Sequence, residues 1–193
     1  PKWVYLSSLG ADALPWQKNL LDYFNKYPQI NLVFQPGSYQ IAAGKEKLGG
    51  IYKRAKVVIV NKEESQTILE TDEDDIKKLL QGIKDLGAEI AVITDGVKGA
   101  YVAYSGDPST LQRVQGRPEQ SRGATNSGNS QSEFWYMPPY PDPKPPLERT
   151  GAGDAFASTF VAALCMGMDV LQALRRAPIN SMSVVQYVGA REG

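Results

Sequence analysis

Val57-Val58-Ile59-Val60 is a run of four β-branched residues with no polar residue among them. A strand with one wet face alternates polar and apolar side chains, so an unbroken apolar run belongs to a strand covered on both faces. Parallel sheets meet that condition, because each crossover between neighbouring strands lays a helix on the sheet. The sequence around the run supplies such crossovers. Short β-rich runs at Val4 to Leu6, Asn31 to Phe34, Ile90 to Thr94 and Ala100 to Tyr104 alternate with stretches of helical period. In one stretch Trp16, Leu20, Leu21 and Phe24 share a helix face. In another, Ile76, Leu79, Leu80, Ile83 and Leu86 recur at spacings of three and four. Thr71 or Asp72 is placed to cap this second helix and Gly87 to stop it. The pattern predicts an α/β fold, a mainly parallel sheet flanked by helices, with residues 1–193 forming a single domain.

The pattern lapses over residues 105–147. Gln115 to Glu133 holds one hydrophobic residue, Ala124, among Ser, Gly, Gln, Asn and Arg, which reads as a mobile surface insertion. Phe134 to Met137 reads as a short strand. Six of the nine residues from Pro138 to Pro146 are proline, which holds the chain extended. Two helices are expected next, one from about Ala152 to Met166 and one from about Asp169, broken or kinked at Pro178.

What the chain lacks prunes the chemistry. It has no His and one Cys, so neither a Ser-His-Asp or Cys-His site nor the usual His/Cys zinc set can be built within it. Oxygen-ligated ions such as Mg²⁺ stay open. The 21 Lys plus Arg balance the 21 Asp plus Glu, so no overall field draws it to nucleic acid or anionic lipid. Ala155 to Met168, its longest nearly charge-free apolar stretch, is shorter than the ~20 residues that span a bilayer. No membrane, no nucleic acid, a small-molecule partner and a cytoplasmic, reducing location are the expectations, with Cys165 a buried small hydrophobe. The chain opens on Pro1 and enters a strand almost at once, as a cut inside a larger protein would.

Three local patterns carry chemistry. Thr150-Gly151-Ala152-Gly153-Asp154-Ala155-Phe156 delivers a glycine pair into the most apolar helix of the chain. Glycines let backbone N–H groups crowd an anion, and the helix N-terminus adds its positive end. Asp154 beside such a site is placed to accept the proton of an alcohol attacking a phosphoryl group. The same letters also describe a tight turn followed by an acidic residue in a first helical turn. Asn61-Lys62-Glu63-Glu64 follows the buried strand, at the sheet edge where ligands bind in α/β folds. Asn61 and Glu64 suit a hydrated Mg²⁺ with phosphates, and equally a capping box for a helix over Lys62 to Leu69. Thr94-Asp95-Gly96-Val97-Lys98-Gly99-Ala100 reads either as a hairpin turn or as a loop along a nucleotide. No Gly-x-x-x-x-Gly-Lys-Ser/Thr loop is present, and Phe156 occupies the third position of a dinucleotide fingerprint.

Taken in order, Asn-x-x-Glu after a buried strand, Thr-Asp-Gly-x-x-Gly-Ala, and Gly-Ala-Gly-Asp-Ala-Phe opening a long helix resemble the ribokinase-like, or PfkB, family of carbohydrate kinases. Tyr5-Leu6-Ser7-Ser8-Leu9-Gly10, Gln35-Pro36-Gly37 and the stretch from Asn180 to Gly189-Ala190 extend the resemblance over nearly the whole chain outside the insertion. It implies transfer of the ATP γ-phosphoryl group to a hydroxyl of a sugar or polyol, with Mg²⁺ required. It also implies Asp154 as catalytic base and the amides of Gly151, Ala152 and Gly153 as an anion hole. Asn61 and Glu64 are implied at Mg²⁺ and the phosphates, Thr94, Gly96 and Gly99 along the nucleotide, and Asn180 at the adenine. Glu148, Arg149, Thr159 and Gln35 depart from residues frequent in the family, namely Asp, Thr, Gly and Asn. The family's N-terminal portion, roughly a hundred residues within the usual size of one domain, has no counterpart here. The fold expected is therefore incomplete at the N-terminus, without most sugar contacts and without the lid that forms a homodimer in many members. A nucleotide-binding or interaction module without turnover is the alternative reading of such a chain.

Overall fold

The computed structural model describes residues 1–104 and 133–188. Gln115 to Ser132 of the expected polar insertion and Gly189-Ala190 of the resemblance lie outside these residues.

Six strands form one sheet in the order of the chain: β1 Trp3–Leu6, β2 Asn31–Phe34, β3 Val57–Asn61, β4 Ile90–Thr94, β5 Ala100–Tyr104 and β6 Glu133–Met137. β1 to β4 pair in parallel, and β5 and β6 add antiparallel. The fold is thus the mostly parallel, helix-flanked α/β sheet that the sequence predicts.

The crossovers carry α1 Gln17–Lys26, α2 Ser38–Ala43, α3 Lys45–Arg54, α4 Lys62–Leu69 and α5 Ile76–Asp85. Right-handed crossovers that always step in one direction place their helices on one face of the sheet. That face packs Leu32, Phe34, Val58, Val60, Ala91 and Ile93 against Phe24, Leu48, Ile68, Leu79 and Ile83 from the helices. α6 Ala152–Cys165 and α7 Val170–Val184 cover the other face, where Val33, Val57, Ile59 and Val92 meet Phe156, Phe160 and Leu174. Val57 to Val60 alternate between two cores and not between core and water, which is why the run carries no polar residue. No helix among the described residues is long and apolar enough to cross a membrane.

Several local expectations are corrected. Trp16 is 64% exposed, because a 3-10 segment Ala11–Trp16 precedes α1 and the helix turns Gln17 and Phe24 inward. Asp75, not Thr71 or Asp72, caps α5 by accepting the Lys77 N–H at 2.8 Å, while Thr71 Oγ1 accepts from Glu73 N–H within the preceding turn. α7 runs through Pro178 as one helix, so the expected break does not occur; Ala173, Leu174 and Ala177 just before it are buried, with α7 packed chiefly against α6. Cys165 is exposed, since α6 turns Val161 and Leu164 inward and the next position faces out. α2 and α3 are additions to the expected elements. Gly50 explains part of their disguise: a Cβ there would lie 2.4 Å from Leu21 Cδ2, so the position lets α1 and α3 pack closely at the expense of helical pattern.

Candidate active site

The C-terminal ends of β2, β3 and β4 and the start of α6 meet around a cavity of about 140 Å³, to which Gln35, Asn61, Glu64, Thr94, Gly153 and Asp154 contribute. A larger cleft of about 650 Å³ adjoins it; Asn61, Thr94 and Gly153 line both. A ligand running from the large cleft to the small one therefore passes these three residues.

Gly151 opens α6 in the left-handed region at φ 83°, a conformation that glycine adopts without the strain other residues incur. Gly151, Gly153 and Asp154 at this turn line the small cavity, and the first N–H groups of a helix have no acceptor within the helix itself. Of the three amides expected in an anion hole, that of Ala152 donates to the Arg149 carbonyl at a long 3.3 Å. Gly153 and Asp154 are exposed in the first turn. Asp154 Oδ1 accepts from Gln35 Nε2 at 3.0 Å.

Across the small cavity, Asn61 caps α4. Its Oδ1 accepts the Glu64 N–H at 2.7 Å, and Glu64 Oε2 accepts the Asn61 N–H at 2.8 Å. Burial holds the Glu64 carboxyl above the usual carboxylate range; the Asn61 N–H works against this, and the charges of Asp154 and Glu63 add to it. The described residues contain no group of three or more His, Cys, Asp or Glu able to hold a metal alone. One half-buried carboxylate, a second facing it and an amide oxygen instead fit Mg²⁺, which takes one or two carboxylates and completes its shell with water and substrate phosphates.

The hairpin between β4 and β5 contributes the floor of the large cleft. Thr94, Gly96 and Gly99 all line it, and Asp95 pairs with Lys98 at 3.4 Å. The opposite wall has two parts that the sequence did not disclose. Pro139, Tyr140 and Pro141 of the proline-rich segment form one, and Met182 of α7 with Val185 just after it the other. The segment is fixed to the residues that follow α7 by Leu147 N–H donating to the Val185 carbonyl at 2.8 Å and by Gln186 Nε2 donating to the Lys144 carbonyl at 3.1 Å. The extended proline run was the available signal, but nothing local indicates what it lies against. Asn180 does not line this cleft. Its Nδ2 donates to Thr159 Oγ1 at 3.0 Å, tying α7 to α6, and the Thr in place of the frequent Gly supplies the acceptor.

Residues 31–193 match the pfkB family carbohydrate kinase description. An uncharacterized sugar kinase of Archaeoglobus fulgidus is 20% identical over 98% of the chain and 61% of its own length. A probable sugar kinase from Rhizobium etli CFN 42 superposes with a TM-score of 0.71 at 18% identity, over 99% of this chain and 50% of that one. A putative ribokinase II from E. coli in complex with ATP and Mg²⁺ superposes with a TM-score of 0.63 at 16% identity, over 98% and 54%. The chain thus spans between half and about three-fifths of the length of these proteins, and the structural likeness at such identities shows the fold. The family follows from the matched residues: the chain belongs to the pfkB family of carbohydrate kinases.

Proposed function

We propose that these residues form the nucleotide and catalytic half of an ATP-dependent kinase that phosphorylates a hydroxyl of a sugar or polyol. One observation carries the reading. The small cavity brings a carboxylate, a glycine-opened helix N-terminus and the Asn61–Glu64 pair together, and it shares Asn61, Thr94 and Gly153 with the large cleft. ATP lies in the large cleft with its base between the α7 and proline-segment walls and its phosphates running toward Gly153. In the transfer, Asp154 takes the proton of the acceptor hydroxyl as the oxygen bonds to the γ-phosphorus and the bond to the ADP oxygen breaks. The amides at the start of α6 receive the negative charge on the transferred group. A bound Mg²⁺ supplies neutralisation of the phosphate charge, and Asn61 and Glu64 are the residues that would hold it.

The walls that position the acceptor belong to the part of the relatives' length that the chain does not span. On its own the 193-residue chain is proposed to bind ATP with Mg²⁺ and to phosphorylate no sugar at a useful rate. The test is calorimetry of the chain with ATP and Mg²⁺. Saturable binding lost on Gly153→Trp, which fills the junction of the two cavities, supports the reading; absence of binding by the folded chain refutes it.

A further inference from the structure

The proton-accepting carboxylate has a second relationship that the family resemblance does not describe. Tyr5 Oη donates to Gln35 Oε1, and Gln35 Nε2 donates to Asp154 Oδ1 at 3.0 Å. Gln35 therefore bridges β1 and α6 across the end of the sheet.

The direction of this chain is fixed by chemistry. An ionised carboxylate only accepts, so the amide must present its nitrogen to Asp154 and its oxygen to Tyr5. Tyr5 must then donate. It is suited to do so: burial is the chief cause holding its hydroxyl above the ordinary tyrosine range, with the Ser7 side chain pulling down and the Asp154 charge adding to the rise. A glutamine without a fixed neighbour rotates its amide freely; here the acceptor-only carboxylate selects one of the two orientations, and the tyrosine hydroxyl holds the oxygen end of the amide in it.

The backbone carrying Gln35 is held as well. Its N–H extends the β1–β2 ladder by donating to the Leu6 carbonyl at 2.9 Å. Pro36 is buried, and Gln40 Oε1 accepts from both Gly37 N–H at 2.8 Å and Leu9 N–H at 3.2 Å. Gly37 is pressed against Ser8, whose Oγ lies 2.0 Å from where a Cβ would stand. Leu6 to Leu9 and Gln35 to Gln40 thus form one braced corner, with the amide projecting from it into the small cavity.

We infer that Gln35 is a positioning residue for the transfer reaction, holding Oδ1 of Asp154 so that Oδ2 is the oxygen that takes the acceptor proton, with Tyr5 anchoring the oxygen end of the amide. Oδ1 is occupied by a donor that cannot accept. A proton arriving there would leave the Gln35 N–H on a hydroxyl oxygen, a weaker acceptor, whereas one arriving at Oδ2 leaves that N–H on a carbonyl-type oxygen. As the acceptor O–H bond breaks and the O–P bond forms, the proton ends on Oδ2 and both bonds of the Tyr5–Gln35–Asp154 chain survive. The inference rests on the kinase reading of the site, and its test separates the two.

The first measurement needs no turnover. In ¹⁵N-labelled protein, the Gln35 side-chain amide signals should move on Asp154→Ala and on Tyr5→Phe. If they stay put in Asp154→Ala, the inference is overturned and the kinase reading is untouched. The second measurement uses the protein together with the acceptor-binding part that its relatives carry. Gln35→Leu should lower kcat roughly 10- to 100-fold while KM for ATP changes less than about twofold, since misplacing a reacting group costs rate and not nucleotide binding. Gln35→Glu keeps the shape, so it guards against a folding artefact; it turns a carboxylate on Asp154 and should cost at least as much. Tyr5→Phe should cost less than either, because the amide keeps its bond to Asp154 and loses only the donor that anchors its oxygen. Full kcat in folded Gln35→Leu or Gln35→Glu overturns the inference alone. A wild-type protein that transfers phosphate to no acceptor overturns the kinase reading and the inference with it.

Discussion

Asn61 and Glu64 each hold the other's backbone N–H, at 2.7 and 2.8 Å, while both side chains line the cavity that Asp154 faces. The capping box and the cation role proposed for the pair are therefore not alternatives. A cap fixes the Glu64 side chain in one place at the end of β3, and a carboxylate fixed there is available to a hydrated ion. Glu64→Gln separates the roles, because glutamine at this position still closes the box. The folded stability of Glu64→Gln should match or exceed that of the parent, while the Mg²⁺ concentration for half-maximal ATP binding rises at least several-fold. Glu64→Ala should show the same metal defect and also lose about 1 kcal/mol of stability. An unshifted magnesium titration in both variants defeats the metal role.

The raised carboxyl of Glu64 also has a consequence for stability. The folded chain holds this proton more tightly than the unfolded chain, so stability falls as pH rises through the window from the ordinary value, about 4.3, up to the raised folded value. The contribution is fully present below the window and lost above it. In metal-free buffer, the melting temperature of Glu64→Gln minus that of the parent should therefore increase from acid toward neutral pH and then level off. A difference that is flat across this range, or that shrinks, contradicts the assignment of burial as the dominant cause.

Much of this arrangement was legible along the chain, and the limit has a physical origin. Val57 to Val60 announced a doubly covered strand because burial on both faces is written into each residue in turn. Asn61 and Glu64 announced their capping box because its partners are three residues apart. The bond from Gln35 to Asp154 spans 119 residues, and nothing near either one specifies it. Asn180 likewise turned to Thr159, a choice set by how α6 and α7 pack. For the opposite reason, Pro178 signalled a break that does not occur: the local rule against proline in a helix is real, and α7, packed against α6, continues through it.

Asp154→Asn should abolish phosphoryl transfer, by ~10²-fold or more, and leave ATP affinity within a few fold. Asparagine keeps the size and still accepts from Gln35 Nε2 through its carbonyl oxygen, so the loss is that of a proton acceptor and not of the surrounding shape. Transfer rates and equilibrium nucleotide binding, measured on the same preparation, check the two halves. Near-normal kcat would remove Asp154 from the mechanism.

Gly99 closes the hairpin at φ 98°, and a Cβ there would lie 2.3 Å from the Met137 carbonyl oxygen on β6. Gly99→Ala must therefore move backbone, at a cost of about 1 to 3 kcal/mol, and the displaced hairpin should weaken ATP binding as well. Gly96 has φ 50° with open space around it, so Gly96→Asn should be nearly neutral in stability. Denaturant unfolding of the two variants gives the comparison; equal stability losses would show that the close approach of β5 to β6 does not constrain Gly99.

The isolated 193 residues offer a test of how the work is divided between the two halves of such a kinase. Holding two reactants in line supplies up to ~7 to 11 kcal/mol of a barrier, and on the proposed reading the chain would provide the phosphate side of that alignment while the walls for an alcohol lie elsewhere. Water, which needs no walls, can enter the small cavity and reach Asp154, since the residue is exposed. The chain should therefore hydrolyse ATP slowly, lose that activity on Asp154→Asn, and show no saturable phosphorylation across a panel of sugars and polyols. Joining it to the acceptor-binding portion should raise transfer to one acceptor by several orders of magnitude and suppress hydrolysis, because the closed site excludes water. Robust saturable phosphorylation of a sugar by the 193-residue chain alone would show that the groups lining these two cavities already position the alcohol.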